Sequence, residues 1–394
     1  MPKTVILSSA RTPIGRLGGG LSTVKPTELG ATAISAALER ADVKPDQVDH
    51  VIMGQVLQAG VGQIPSRQAQ ISAGIPKEVS SETINKVCAS GLRASVLLDQ
   101  AIRAGDVEVG VGGGMESMSG APYLLPNARG GFRMGDVKAL DAMVQDGLRN
   151  PFTGKQMYEE ADPTAADLEI TRPDLEKWAL RSHELAIKAT EAGRLADEIV
   201  PVTVKGRKGD TVVEVDEGPR ADTTLERLAK LPGLVGKEGS HTAGNSPSVN
   251  DGAGALVLSS DEWAEKNGKK PLAEIIAHAQ SANDFAILHT TPASAAKKAL
   301  EKAGIAVEDV DLWEINEAFA SVAVNSVGEL GVDEDKVNVN GGAVALGHPI
   351  GASGARILGA LVHELGRRGG GIGVAAICSG GGQGDAVVLK VHAA

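Results

Sequence analysis

A short sequence pattern occurs twice, and this repeat constrains the fold of the chain more than any other feature. Ser-Gly-Leu-Arg at residues 90–93 opens an apolar helical stretch, which leads to a strand and three glycines at residues 112–114. Ser-Gly-Ala-Arg at residues 353–356 opens a second such stretch, which leads to a strand and glycines at residues 380–382. The chain has 394 residues, whereas a single core stops growing at about 250–300 residues. Repeat and length together predict two similar βα halves.

Strand-like patterns alternate with helical patterns along most of the chain. We expect strands at residues 5–8, 51–57, 107–111, 255–258 and 373–377, and helices at residues 27–40, 68–73, 92–104 and 172–191. Such alternation indicates an α/β fold, in which helices cover the faces of a mostly parallel sheet.

Residues 118–250 differ from the rest of the chain because their pattern is more polar and less regular. Prolines and glycines are scattered through this region, and a basic group lies near a hairpin-like stretch. We interpret the region as an insertion. The first half then comprises residues 1–117 and 251–269, and the second half comprises residues 270–394.

Composition excludes several functional classes. The net charge of −11 and an aromatic content of 2% argue against a nucleic-acid-binding surface. No apolar run approaches the ~20 residues that span a bilayer, so no membrane contact is expected. The two cysteines, Cys88 and Cys378, are far apart and belong to no CxxC pair, which argues against a metal site. The simplest interpretation is a cytoplasmic protein with two free thiols.

Cys88 lies just before the helix predicted at residues 92–104, and Ser90 is the expected N-cap of that helix. Backbone N–H groups and the dipole at a helix N-terminus favour a thiolate, so we expect a lowered pKa and a nucleophilic role for Cys88. The alternative is a structural cysteine, because free cysteines are commonly buried.

Three further residues occupy comparable positions. His348 lies on a glycine-rich loop before the second repeated helix. We expect a pKa near working pH and a flexible approach to its partner, so it can serve as a general base; a capping or core histidine is the alternative. Cys378 ends a strand before three glycines, which predicts an exposed sulfur beside an oxyanion site; packing at the sheet end is the alternative. Asn316 follows a strand-like run, where it can hold a water or merely form a turn. Because all of these groups fall at strand ends or helix starts, an enzyme is favoured.

The same segments resemble the signature motifs of the thiolase family. Residues 85–93 are similar to the nucleophile motif of the family, residues 113–119 to its second signature, and residues 316–319, 340–356 and 378–382 to three others, while residues 11–15 also fit. The resemblance extends from residue 4 to about residue 390. It implies a thiolase fold of two βα halves in α-β-α-β-α layers, with a loop domain inserted in the first half.

The resemblance also implies a ping-pong acyl transfer between coenzyme A thioesters. His348 would take the thiol proton of Cys88, which becomes acylated. Cys378 would then remove an α-proton from a second acetyl-CoA, whose carbanion attacks the acyl group. One oxyanion hole would be a water held by Asn316 together with His348, and the other the backbone N–H groups of Cys88 and Gly380.

Family likeness extends to ligands and assembly. It implies coenzyme A thioesters as substrate and product, no permanently bound cofactor, and a homo-dimer or homo-tetramer. Near coenzyme A we expect Gln156, Met157, Arg220 and Ala243, together with Ser246 or Ser248. One of these two serines would replace a family serine, because Pro247 stands at its position. Residues 284–292 also depart from the usual pattern of the substrate pocket.

Several functions remain open at this point. The first is an acetyl-CoA C-acetyltransferase of fatty acid metabolism that makes or cleaves acetoacetyl-CoA. The second is a degradative thiolase for longer or branched 3-ketoacyl-CoAs, and the third is a catalytically silent acyl-CoA-binding homologue. A decarboxylating synthase is disfavoured because Cys378 has no place in its residue set, and a redox or metal protein is disfavoured by the cysteine spacing.

Overall fold

The computed structural model describes residues 2–393. The helices are α1 (Pro26–Ala41), α2 (Pro65–Ser72), α3 (Ser90–Ala104), α4 (Met157–Asp167), α5 (Arg172–Glu191), α6 (Leu225–Ala229), α7 (Asp261–Lys266), α8 (Thr291–Ala303), α9 (Ala320–Leu330), α10 (Ala343–Leu346) and α11 (Ser353–Arg367). The strands are β1 (Thr4–Arg11), β2 (Gly15–Arg16), β3 (His50–Gly54), β4 (Ser80–Ile84), β5 (Val109–Ser117), β6 (Tyr123–Leu124), β7 (Leu140–Asp141), β8 (Val202–Val204), β9 (Thr211–Val213), β10 (Asn250–Ser260), β11 (Ala273–Ala282), β12 (Leu312–Ile315), β13 (Gly371–Ser379) and β14 (Gln383–Val391). Within the described residues, no helix combines the length and apolar character needed to cross a membrane.

The main sheet shows the duplication directly. Its order is β12-β13-β14-β11-β1-β10-β5-β3-β4, with β2 paired to β10. In the first half, β3 and β5 are parallel, and β5–β10 and β10–β1 are antiparallel. In the second half, β12 and β13 are parallel, and β13–β14 and β14–β11 are antiparallel. The same pairing pattern therefore occurs twice, and the two sets of strands meet where β1 and β11 pair over two residues.

The prediction of a mostly parallel sheet was wrong. Among the paired strands of the described residues, only β3–β4, β3–β5 and β12–β13 are parallel. For β13 and β14 the reason is local, because a tight turn at residues 380–382 joins them directly, and a turn of that length can only connect antiparallel strands.

The helices and the sheet form five layers. Strand side chains alternate in direction, so Ile6 joins a central core with α3 and α11, while Val5 joins an outer core with α1. In the second half Ile377 joins the central core, whereas Ala376 joins another outer core with α8 and α9. The α-β-α-β-α arrangement implied by the family resemblance is thus confirmed.

The central helices α3 and α11 cross at the glycines of the sequence repeat. A Cβ atom on Gly91 would lie 2.8 Å from the backbone nitrogen of Ala355, and one on Gly354 would collide with the backbone nitrogen of Leu92. Only glycine permits this approach of two backbones. Each helix starts at the loop that carries a candidate catalytic residue, so the crossing brings these loops together.

The glycines at residues 112–114 were expected to follow a strand at residues 107–111, but they lie inside β5. A Cβ atom on Gly114 would collide with the carbonyl oxygen of Gly351. The strand carries glycines here because a loop of the second half presses against it, a constraint that local sequence does not reveal.

The insertion contains the helix expected at residues 172–191, now α5, and a hairpin formed by β8 and β9. Both local predictions are confirmed. The proposed boundaries of the insertion, residues 118 and 250, remain a prediction.

Candidate active site

Cys88 occupies a short loop between β4 and α3, and the backbone before it is strained. Val87 has φ of 44°, which is unusual for a β-branched residue, and its N–H donates to Asn85 Oδ1 at 2.9 Å. Ser90 was predicted as the N-cap, but Ala89 has that position and Ser90 is the first helical residue. Instead, Ser90 Oγ donates to the Val87 carbonyl at 2.6 Å and accepts from the Lys86 N–H at 2.8 Å. The serine therefore holds the loop, not the helix end.

The prediction of a lowered pKa for Cys88 was wrong. Burial raises the pKa of the thiol to about 12, although the backbone N–H groups of Cys88 and Gly380 act in the opposite direction. Desolvation of a thiolate outweighs the helix N-terminus here, because the side chain is only 3% exposed. The resting group is a neutral thiol, so its activation requires a base.

Gly380 lies in the turn between β13 and β14, against the Cys88 loop. A Cβ atom at this position would lie 2.8 Å from Met157 Cε and 3.3 Å from Val87 Cγ1. A side chain at this position would therefore have to displace the Met157 side chain or press against Val87 in the Cys88 loop. As glycine, the residue keeps its N–H at the cysteine sulfur, where it contributes to the thiol pKa.

His348 is fixed by two contacts that also define its tautomer. Its backbone N–H donates to Asn250 Oδ1 at 2.8 Å, and Nδ1 lies 2.6 Å from Ser353 Oγ. The Ser353 hydroxyl donates its only proton to the Pro349 carbonyl at 3.0 Å. We assign the ring proton to Nδ1, which then donates to Ser353 and leaves Nε2 as a lone pair. Within residues 2–393, this buried Nε2 has no hydrogen-bond partner.

The expected pKa of His348 near working pH is contradicted. Burial, assisted by the charge of Arg356, lowers the pKa of the imidazole to about 3. The ring is therefore neutral, and it lies in a fixed orientation instead of a flexible loop. A neutral imidazole with a free Nε2 is nonetheless the form that accepts a proton.

Cys88 and His348 line one cavity of about 200 Å³. Its other lining residues come from the insertion and from the second half: Met118, Gly147, Leu148, Gln156, Met157, Tyr158, Leu234, Ser246, Pro247, Ser248, Val249, Ala318, Phe319 and Ile350. The cavity therefore joins a thiol from one half of the chain to an imidazole from the other.

Cys378 lies within β13 and is fully buried, so the expected exposed sulfur was wrong. The strand continues one residue beyond it, and the Cys378 side chain packs in an apolar cluster that includes Val322 of α9. Burial, and then the charge of a nearby Cys88 thiolate, raise the pKa of Cys378 well above the ordinary value. Both cysteines are free thiols, as predicted.

Asn316 follows β12 and is also buried. Its backbone N–H donates to the Ala376 carbonyl of the parallel neighbour β13 at 2.9 Å, two residues before Cys378. Neither Oδ1 nor Nδ2 of its side chain has a partner within the described residues. Such a buried amide is free to bind a water or a ligand oxygen. The next residue, Glu317, anchors the segment by accepting from Trp178 Nε1 at 2.9 Å.

The residues expected to bind coenzyme A fall into two groups. Gln156, Met157, Ser246 and Ser248 line the cavity, whereas Arg220 and Ala243 are exposed and lie outside its lining. Ser248 Oγ is engaged with Asn250 Oδ1 at 3.1 Å, but the buried Ser246 Oγ is without a partner in the described chain. Ser246 is thus the serine with a hydroxyl free for a ligand.

The sequence interpretation assigned no role to Asn250 and Ser353, which hold the His348 loop and ring. Ser353 belongs to the repeated Ser-Gly pattern, so its position was visible in the sequence and its contact was not. Within the described chain, no group of three or more His, Cys, Asp or Glu residues could hold a metal ion.

Comparisons with known proteins agree with this geometry. The N-terminal domain of thiolase matches residues 4–262, and the C-terminal domain of thiolase matches residues 269–391. A probable acetyl-CoA acetyltransferase of Mycolicibacterium smegmatis is 49% identical over 98% of this chain and 100% of its own, and an acetyl-CoA acetyltransferase of Syntrophomonas wolfei is 47% identical over 98% and 99%. The crystal structure of the Bacillus anthracis acetyl-CoA acetyltransferase superimposes with a TM-score of 0.97, at 43% identity, over 99% of both chains. The chain belongs to the thiolase family.

Proposed function

We propose that this chain is an acetyl-CoA C-acetyltransferase, which condenses two acetyl-CoA molecules to acetoacetyl-CoA and CoA or catalyses the reverse thiolysis. The observation that carries the proposal is the shared cavity of Cys88 and His348, in which the imidazole presents an unprotonated Nε2. The names of relatives that are 47–49% identical over nearly the whole chain support the same reaction.

In the first step, Cys88 becomes acetylated. Nε2 of His348 takes the thiol proton, and the sulfur attacks the thioester carbonyl of acetyl-CoA. The carbon–sulfur bond to CoA breaks, and the departing CoA sulfur takes a proton from Cys378, which becomes a thiolate while Nε2 of His348 keeps the proton of Cys88. Proton transfer and attack are coupled, because burial holds both resting groups neutral.

In the second step, Cys378 is the base. As a thiolate it removes an α-proton from a second acetyl-CoA, and the carbanion attacks the carbonyl carbon on Cys88. The Cys88 sulfur leaves and regains its proton from Nε2 of His348, while the α-proton stays on Cys378, so both cysteines return to their starting states. The raised pKa of Cys378 makes its thiolate a strong base, which an α-proton of low acidity requires.

Two sets of donors stabilise negative charge on the thioester oxygens. One set is the backbone N–H groups of Cys88 and Gly380. The other is a water held by the free amide of Asn316 together with Nε2–H of His348, which can donate while the ring holds the proton of Cys88. Each donor of this kind lowers the activation barrier by about 3–4 kcal/mol.

Coenzyme A thioesters are the substrates, and no cofactor is bound permanently. Gln156, Met157 and Ser246 lie on the cavity and are proposed to contact the pantetheine arm, while Arg220 is proposed to meet the phosphates at the surface. We further propose that the protein is a homo-dimer or homo-tetramer in the cytoplasm.

Mass spectrometry after incubation with acetyl-CoA tests the nucleophile. Wild type acquires one acetyl group on the peptide that contains Cys88, and Cys88→Ser does not acquire a thioester there. A wild-type protein that forms product at full rate with an unmodified Cys88 would contradict the proposal. An unmodified protein without turnover would instead support the silent acyl-CoA-binding homologue.

A panel of 3-ketoacyl-CoA substrates of rising length tests the acyl group. We expect kcat/KM for thiolysis to fall steeply beyond four carbons. A kcat/KM that is maintained for longer or branched chains would point to the degradative thiolase.

A further inference from the structure

Four polar side chains outside the catalytic set form one continuous chain. Nδ1 of His241 lies 2.6 Å from Asp162 Oδ1, and its Nε2 lies 2.7 Å from Ser321 Oγ. The same Ser321 Oγ lies 2.8 Å from Nε2 of His289. Both imidazoles and the serine are buried, whereas 15% of the Asp162 side chain is exposed. We call these four side chains the polar chain.

Hydrogen-bond accounting fixes the direction of every contact in the polar chain. The carboxylate of Asp162 can only accept, so His241 carries its proton on Nδ1 and presents a lone pair at Nε2. That lone pair takes the single hydroxyl proton of Ser321, whose oxygen then accepts the Nε2–H of His289. Burial lowers the pKa of both imidazoles, that of His289 to about 3, which keeps the rings neutral.

The polar chain links segments that form the wall around Cys378. Ala161, Leu288 and Phe319 pack in one apolar cluster with Cys378. Each of the three lies within two residues of a member of the polar chain in the sequence. His241, the fourth member, lies next to the cavity. Its backbone carbonyl accepts from the N–H of Leu234, and Leu234 lines the cavity.

Phe319 is the part of this wall that faces the reacting groups. It lines the cavity of Cys88 and His348, and the His241 ring packs edge-on against it with centroids 5.1 Å apart at 78°. Helix α9 also holds the Leu288 segment at a second point, because Asn325 Nδ2 donates to the His289 carbonyl at 2.9 Å. A shift of either apolar wall residue would therefore break buried hydrogen bonds.

We propose that the polar chain is a positioning network that holds Phe319 and Leu288 against Cys378, and thereby limits the cavity to short acyl groups such as acetyl. The inference rests on the proposed function, which it extends from the reaction to the choice of acyl chain. A longer acyl group must displace the wall and leave buried polar atoms unpaired, so it is rejected.

The test is Ser321→Ala, which removes the hydroxyl shared by the two imidazoles. We expect the ratio of kcat/KM for four-carbon over eight-carbon 3-ketoacyl-CoA to fall about tenfold, within the range by which apolar pockets discriminate chain length. Ser326→Ala is the matched control, because its buried hydroxyl, on the same helix, donates to the Val322 carbonyl and lies outside the polar chain. The control should keep the wild-type ratio.

A second pair of variants covers the case in which Ser321→Ala fails to fold. Asp162→Asn keeps an oxygen that accepts the imidazole N–H and should preserve the ratio, while Asp162→Ala should lower it. A ratio unchanged in folded Ser321→Ala or Asp162→Ala would overturn the inference, even if stability falls. An inactive wild type would instead contradict the proposed function, so the two failures are distinguishable.

Discussion

The two central helices begin with the same Ser-Gly pair, yet the two serines hold different groups. Ser90 bonds only to backbone atoms, and so fixes the loop that presents Cys88. Ser353 also bonds to a backbone carbonyl, but its second contact is the imidazole of His348. One copy of the motif positions the proposed nucleophile, whereas the other holds the ring of the proposed base.

Burial acts on both groups, and in opposite directions. It raises the pKa of the Cys88 thiol to about 12 and lowers the pKa of the His348 imidazole to about 3. Both groups are neutral at rest, so neither half is reactive alone. The comparison shows how a duplicated core can place a proposed nucleophile in one copy and a proposed base in the other. Three predictions test this division of roles.

The largest effect is expected from removal of the base. In His348→Gln we expect kcat of thiolysis to fall about 10²–10⁴-fold with little change in KM, because a neutral Cys88 thiol then lacks a proton acceptor. Steady-state assays with acetoacetyl-CoA measure this. His363→Gln is the control, because this half-buried histidine is also on α11 but does not line the cavity. A His348→Gln variant within threefold of wild type would refute the assignment of the base.

A smaller effect is expected from the two serines, compared as a pair. Ser353→Ala frees the imidazole to rotate or change tautomer, so we expect kcat to fall about 10-fold to 100-fold. Ser90→Ala should lower kcat less, while both variants lose about 1 kcal/mol of stability for their hydrogen bonds. Kinetics and urea unfolding measure the two quantities. Equal losses of kcat would show that the serines have the same role.

The smallest effect concerns stability and pH. The pKa of His348 is about 3 in the folded protein against 6.5 in a model peptide, so between these values only the unfolded chain binds this proton. Stability therefore falls as pH falls below 6.5, by about 1 kcal/mol at pH 5.5 for one such histidine. In His348→Gln the loss between pH 7.5 and pH 5.5 should be smaller than in wild type by that amount. Identical pH profiles from urea unfolding would contradict the buried neutral ring.

Much of the fold could be predicted from the sequence, because helical periodicity and the Ser-Gly repeat are visible in short segments. Helix α5 was predicted at its observed bounds, and the duplicated core followed from the repeat. The direction of strand pairing was missed, since it depends on which strands a turn joins. The glycines of β5 were also misassigned, because the carbonyl of Gly351 that excludes side chains there belongs to the other half.

The sequence predicted which residues form the candidate site, but it did not predict their burial or their pKa. Cys88, His348 and Cys378 were selected from their motifs, but the predicted pKa of the first two and the exposure of the third were wrong. These properties depend on how deeply the assembled halves bury each group, which a single segment does not encode. The tautomer of His348 likewise depends on the proton of Ser353, whose acceptor is a carbonyl four residues earlier.

The crossing of α3 and α11 has a mechanical consequence. Since the two backbones touch at Gly91 and Gly354, no compressible layer of side chains separates them. We therefore expect a displacement of one helix axis to move the other helix, and with it the loop at the start of that helix. The Cys88 sulfur and the His348 ring would then keep their relative positions when the two helices move together.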